Sequence, residues 1–242
     1  MSARLGVLAF GDSITNGGGE LQWGVALQSW ALWVARGLGL PFTSYAVDGA
    51  RAADVVRSQI PAFVARNAVP DARYDLGCLY VGVNDVRAPD FDAGAFAQLH
   101  AEALAFLRGR CERVLCVALP EDLGRPRADV SVANAVVLAA GALVLDLRRF
   151  GARNLVMTDH VHPTAFGQVW IAERALDVLA ADGMDVRVRP STLIAPGERS
   201  RLRSLQGDWT YVYRHLKESA RAAAAARRAG RAAAARSGTS RR

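Results

Sequence analysis

Five short apolar runs mark out the first 150 residues: Arg4–Phe10, Phe42–Val47, Leu76–Val81, Arg113–Leu119 and Leu143–Leu147. They are continuous rather than alternating, and mostly rich in Val and Leu. Such runs suit parallel strands covered on both faces, because neither face needs a polar residue for solvent. Stretches with helical spacing lie between and after them. Gln28–Leu38 puts Trp30, Trp33 and Val34 on one side. Ala53–Arg66 carries Val55, Val56, Ile60, Phe63 and Val64, with Pro61 predicted to kink or divide it. Phe91–Arg110, Val130–Ala140 and Thr164–Ala181 complete the series. This alternation predicts an α/β fold, an open parallel sheet of five strands with helices on both faces. At 242 residues the chain can bury one sizeable core and still carry an appendage.

Half the residues are hydrophobic, but no apolar run is long enough to span a bilayer. No secretory signal precedes the first apolar run, so the expected location is the cytoplasm. Cys78, Cys111 and Cys116 form no CxxC pair and lie in or beside strand-like runs, which predicts buried free thiols.

In an open α/β sheet, ligands bind beyond the carboxyl ends of the strands, and suspicious polar residues collect there. Ser13, in Gly11-Asp12-Ser13, follows the first run. Asp48-Gly49 follows the second and Gly82-Val83-Asn84-Asp85 the third. Asp159-His160-Val161-His162-Pro163 lies on the loop after the last. A serine hydroxyl becomes a strong nucleophile when an imidazole accepts its proton, and the imidazole needs an orienting carboxylate. Asp159 and His162, three apart in a turn ended by proline, can meet locally. A tetrahedral intermediate also needs donors for its oxyanion. The Ser13 and Gly49 backbone N–H groups and the Asn84 side-chain amide are candidates, and Asp85 reads as a structural acceptor. Among four histidines, His100 falls within a helix and His215 in the tail. His160 competes with His162, but the spacing from Asp159 and the following proline favour His162. Asp159, His160 and His162 are also compatible with a metal site, although no further ligand cluster accompanies them. Ser13 is not in a G-x-S-x-G elbow, because Thr15 stands where the last glycine would be.

With Gly11-Asp12-Ser13, Gly49, Gly82-Val83-Asn84-Asp85 and Asp159-x-x-His162-Pro163 in this order, the chain resembles the SGNH/GDSL hydrolases over residues 4 to 182. The resemblance implies a three-layer α/β/α sandwich of flavodoxin-like type and metal-free, cofactor-free hydrolysis of esters or thioesters. It implies Ser13 as nucleophile, His162 as base, Asp159 as its partner, and Ser13, Gly49 and Asn84 as oxyanion donors. The expected substrate is a small-molecule or lipid ester. A non-hydrolytic binding or scaffold protein on the same fold, and an acyltransferase, are the alternatives. Trp23, Trp30 and Trp33 read as core first and as an acyl pocket second. The segments Thr15–Gly24 and Glu121–Asp129 read as rims of the site.

Charge divides the chain. Residues 187–242 hold 14 Arg and Lys against 3 Asp and Glu, whereas residues 1–186 balance at −4. The expected organisation is a hydrolase domain over 1–186 and a basic, Ala- and Arg-rich extension over 187–242, ending in disorder. Within the extension Trp209, Val212, Tyr213, Leu216 and Ala220 fall at helical spacing, with Arg214, Lys217, Arg221, Arg228 and Arg231 near another side. A solvated helix is one reading. The sharper one is a helix peripheral to an anionic membrane surface or docked on a protein partner. Aromatics confined to its first turns argue against nucleic acid.

Overall fold

The computed structural model describes residues 5–19, 27–66, 73–123, 128–151 and 154–194, with seven positions between Leu205 and Ala220. The chain divides into two compact units, Met1–Arg199 and Ser200–Arg242.

The first unit is built on the predicted strands. β1 (Val7–Gly11), β2 (Phe42–Ser44), β3 (Tyr74–Tyr80), β4 (Cys111–Ala118) and β5 (Leu143–Asp146) form one all-parallel sheet in the order β2-β1-β3-β4-β5. β1 and β3 are buried along their whole length; β1 is apolar throughout, and the one carboxylate of β3, Asp75, accepts the Gly6 N–H at 3.0 Å. β1 lies between β2 and β3, with Ala9 in register with Ser44 on one side and Cys78 on the other.

Helices cover both faces, giving three layers. α2 (Trp30–Leu38) packs on α8 (Ala165–Ala181). α6 (Ala93–Arg110) packs beside α7 (Ala128–Leu138) and against the helical stretch that follows β2. That stretch consists of α3 (Ala52–Asp54), a π-helical turn (Val55–Gln59) and α4 (Ile60–Arg66). Pro61 lies in the first turn of α4, directly after the π-helical turn that separates α4 from α3. Proline has no N–H to give the carbonyl four residues back, and the preceding turn widens so that the Ile60 N–H bonds to Val55 instead. Two short helices, α1 (Ser13–Asn16) and α5 (Val83–Arg87), begin just after β1 and β3.

Phe10, Tyr45, Phe63 and Phe106 meet in the core with ring centroids 5.6–6.1 Å apart. Trp30 and Trp33 are buried in α2, so both are core residues; Trp23 lies outside the described residues. The three cysteines are free and buried, and burial pushes the thiols of Cys111 and Cys116 up to about 12.

The first unit runs further than the charge boundary at residue 186. Arg187 and Val188 donate their N–H groups to the Gly37 carbonyl. Arg189 pairs with Glu173 and Asp177 of α8, and Ile194 joins the core. The basic residues at the start of the extension thus find acidic partners on the domain surface. The end of the chain, expected to be disordered, and parts of both predicted rims lie outside the described residues. Among the described residues no helix is long and apolar enough to cross a membrane.

Candidate active site

The site begins where β1 turns into α1. Asp12 caps α1, accepting the Ile14 N–H through Oδ1 at 2.9 Å. Ser13 is therefore the first residue of a short helix, held at the sheet edge by its neighbours. Gln59, the last residue of the π-helical turn, clamps Gly11 from both sides. Its Oε1 accepts the Gly11 N–H at 3.0 Å, and its Nε2 donates to the Gly11 carbonyl at 2.7 Å. Gln168 of α8 donates to the carbonyls of Ile14 and Gly18 and accepts the Trp30 N–H.

The Asp159–Pro163 loop is shaped by its own backbone. Asp159 Oδ1 accepts the N–H groups of Val161 and His162 at 2.9 and 3.0 Å. Met157 N–H donates to the His162 carbonyl, and Val156 bridges Pro163. To close this turn His160 takes a left-handed conformation, φ +60°, which non-glycine residues seldom adopt. Its Nδ1 lies 3.9 Å from Asp122 Oδ1. His162 takes the other direction. Its Nδ1 is 2.6 Å from Asp159 Oδ2, and its Nε2 is 2.8 Å from Ser13 Oγ. Among the described residues no three His, Cys, Asp or Glu side chains group as metal ligands.

These contacts set the charges. The Asp159 hydrogen bond, outweighing partial burial, raises the His162 imidazole above its ordinary value. Burial alone would raise the Asp159 carboxyl, but the hydrogen bonds from the His162 ring and from two N–H groups bring it below the usual range. Asp12 differs from both. Burial pushes it up to about 7 against the opposing Ile14 N–H and His162 charge, and its Oδ2 is buried with no hydrogen-bond partner.

The remaining predicted donors stand on segments tied to this pair. Asn84, in α5, donates Nδ2 to the Ala50 carbonyl at 3.0 Å, and both Asp85 oxygens accept the Ala52 N–H at 3.1 Å. Asp85 is thus the structural acceptor expected of it. Asn16 of α1 donates to Asp48, so the Gly49 segment is joined to both short helices. Gly49 has φ +77° and open space where a side chain would be. A cavity of about 240 Å³ lies beside it, lined among others by Asp48, Asp54, Ser58 and Gln59.

The sequence did not single out Gln59, Gln168 or Gly18. A Cβ on Gly18 would come within 3.3 Å of both Ser13 Cβ and His162 Cδ2, so this glycine leaves room for the serine–histidine contact. Gln168 was detectable: a long polar side chain on the apolar face of a regular helix needs a buried partner.

The profile of the GDSL-like lipase/acylhydrolase family matches residues 9–170. The chain belongs to that family. It is an ester-hydrolysing enzyme with the α/β fold of its relatives. Solved structures share this fold at low identity. A lipolytic G-D-S-L family protein from Veillonella parvula is 20% identical and superposes with a TM-score of 0.56 over 72% of this chain and 98% of its own. LAE5, an alpha/beta hydrolase from the metagenome of Lake Arreo, is 18% identical with a TM-score of 0.56, over 74% of this chain and 97% of its own. Axe2, an acetylxylan esterase from Geobacillus stearothermophilus, is 17% identical with a TM-score of 0.54, over 78% of this chain and 99% of its own. No protein of curated function matches the chain in sequence.

Proposed function

We propose that the enzyme hydrolyses carboxylic esters through an acyl-enzyme on Ser13, and that Asp159 and His162 complete a triad with it. The unbroken hydrogen-bond chain from Ser13 Oγ through the His162 ring to Asp159 Oδ2 carries this reading. Ser13 Oγ attacks the ester carbonyl while its proton passes to His162 Nε2. The carbonyl oxygen becomes an oxyanion, facing the N–H groups of Ser13 and Gly49 and the Asn84 amide proton not given to Ala50. The intermediate collapses by breaking the ester C–O bond, and His162 returns the proton to the leaving alkoxide. A water then attacks the acyl carbon by the same route and frees Ser13. Asp159 holds Nδ1 and balances the imidazolium charge during each transfer.

The small, partly acidic cavity beside Gly49 supports short acyl groups and polar alcohols rather than long chains. O-acetyl sugar esters, the class named for Axe2, belong to this range. A fluorophosphonate probe should label the wild type and leave Ser13→Ala unlabelled, and p-nitrophenyl esters should turn over faster as acetates than as octanoates. Equal labelling of the two proteins would remove Ser13 from the role. An inverted chain-length order would remove the cavity from the acyl site.

A further inference from the structure

In the second unit the described positions Leu205, Trp209, Val212, Tyr213, Leu216 and Ala220 are helical. On a period of 3.6 residues they fall within an arc of about 100°. A stripe of this width ordinarily packs on a core. Here its large residues face solvent, with Leu205 and Leu216 at 64% exposure, Tyr213 at 62% and Trp209 at 76%. Residues 200–242 hold 11 Arg and Lys against 2 Asp and Glu, a balance of +9. In the sequence, Arg214, Lys217 and Arg221 recur at three- and four-residue spacing, out of phase with the apolar set.

We infer that this helix lies in the interface of an anionic lipid bilayer, its Leu205–Leu216 stripe among the acyl chains and its basic residues against the headgroups. The sixteen residues from Leu205 to Ala220 are too few to span a bilayer and are interrupted by charge in the sequence, which suits a segment lying along a surface rather than one crossing it. Tryptophan and tyrosine suit the boundary because each has an apolar body and one polar group that stays wet. The positive balance selects the lipid. Acidic headgroups attract each nearby Lys or Arg, whereas neutral bilayers offer only the apolar term. Beyond the stripe the basic residues are set in alanine, which offers little shape for a protein groove but is compatible with a fluid surface.

The test uses the full chain with vesicles of phosphatidylcholine containing about 30% phosphatidylserine, a content high enough to give a strongly negative surface. The protein should sediment with these vesicles and at least tenfold less with pure phosphatidylcholine, and added salt should release it. Trp209 emission should shift to the blue on binding, and the shift should disappear in Trp209→Phe. The pair Trp209→Ala/Leu216→Ala should lower partitioning at least tenfold, and Lys217→Glu should lower it severalfold. Thermal unfolding of the first unit should stay unchanged in both variants. Failure to sediment with phosphatidylserine vesicles, or sedimentation indifferent to both substitutions, overturns the inference. So does binding of duplex DNA without binding of vesicles. Loss of esterase activity in Ser13→Ala has no bearing on any of these outcomes.

Discussion

The two sides of the Ser13–His162 contact are built by different means. The serine side is supported from afar. Gln59 and Gln168 reach Gly11, Ile14 and Gly18 from separate helices, and almost every contact is buried. The histidine side supports itself. Asp159 satisfies two N–H groups and the ring within three residues, and the pair remains 31–39% exposed. In the proposed mechanism the nucleophile must be fixed against the substrate carbonyl, so dispersed buried contacts suit it. A base must exchange protons and reorient between transfers, so a short, partly wet loop suits it.

The contrast can be broken most sharply at Asp159. Asp159→Asn removes the group that raises His162, and kcat should fall by about 10⁴. The acid limb of the pH–rate profile, which should lie above 6.5 in the wild type because a protonated His162 cannot accept the serine proton, should move to lower pH. Thermal stability should change little, since the loop is local. A profile that keeps its limb in place would separate His162 from the rate.

Next in size is a pH effect on the serine side. Asp12 holds its proton up to about 7 when folded, against 3.8 ordinarily. The folded state thus binds more protons than the unfolded one between these values, so stability falls as pH rises through that window. The full loss amounts to about 4 kcal/mol. Denaturant unfolding of Asp12→Asn, measured at several pH values beside the wild type, should lack this fall. Parallel curves would mean that Asp12 is ionised in the fold.

A smaller effect is expected at Gln59. Gln59→Ala leaves the N–H and carbonyl of Gly11 without their buried partner and should cost roughly 3 kcal/mol in chemical denaturation. A loss under 1 kcal/mol would show that water replaces the clamp. The smallest effect belongs to the loop. His160→Gly removes the penalty of a left-handed backbone but frees the unfolded chain, so stability should stay within about 1 kcal/mol of wild type. Esterase activity should remain within severalfold. A large activity loss would give the loop more dependence on His160 than its own hydrogen bonds suggest.

Much of this was legible in the sequence. The five apolar runs located all five strands among the described residues because a buried parallel strand needs no polar face. That Ser13, Asp159 and His162 would come together was legible because strand exits concentrate polar residues and because few residue types pair in this way. The left-handed φ of His160 was not, since turn closure depends on hydrogen bonds two and three residues away. The Gln59 clamp was hidden for a related reason: a π-helical turn shifts which side chains face the sheet, and the period-3.6 reading of Ala53–Arg66 does not anticipate that shift. The contacts of Arg187 and Arg189 were not legible, because by charge they look like the tail until their partners on the domain surface are known.

Gln168 has a consequence for how the enzyme comes into being. It sits six residues past His162 and fastens itself to the turn that carries Ser13, joining segments 150 or more positions apart. A ribosome releases the serine early and the histidine late, and β1 already needs β3 for a neighbour. The nascent chain thus passes through most of its synthesis with a serine that has no partner. Only when the His162 loop and α8 have emerged can the hydroxyl meet its imidazole, so on the proposed mechanism hydrolysis is withheld until nearly the whole domain has been made.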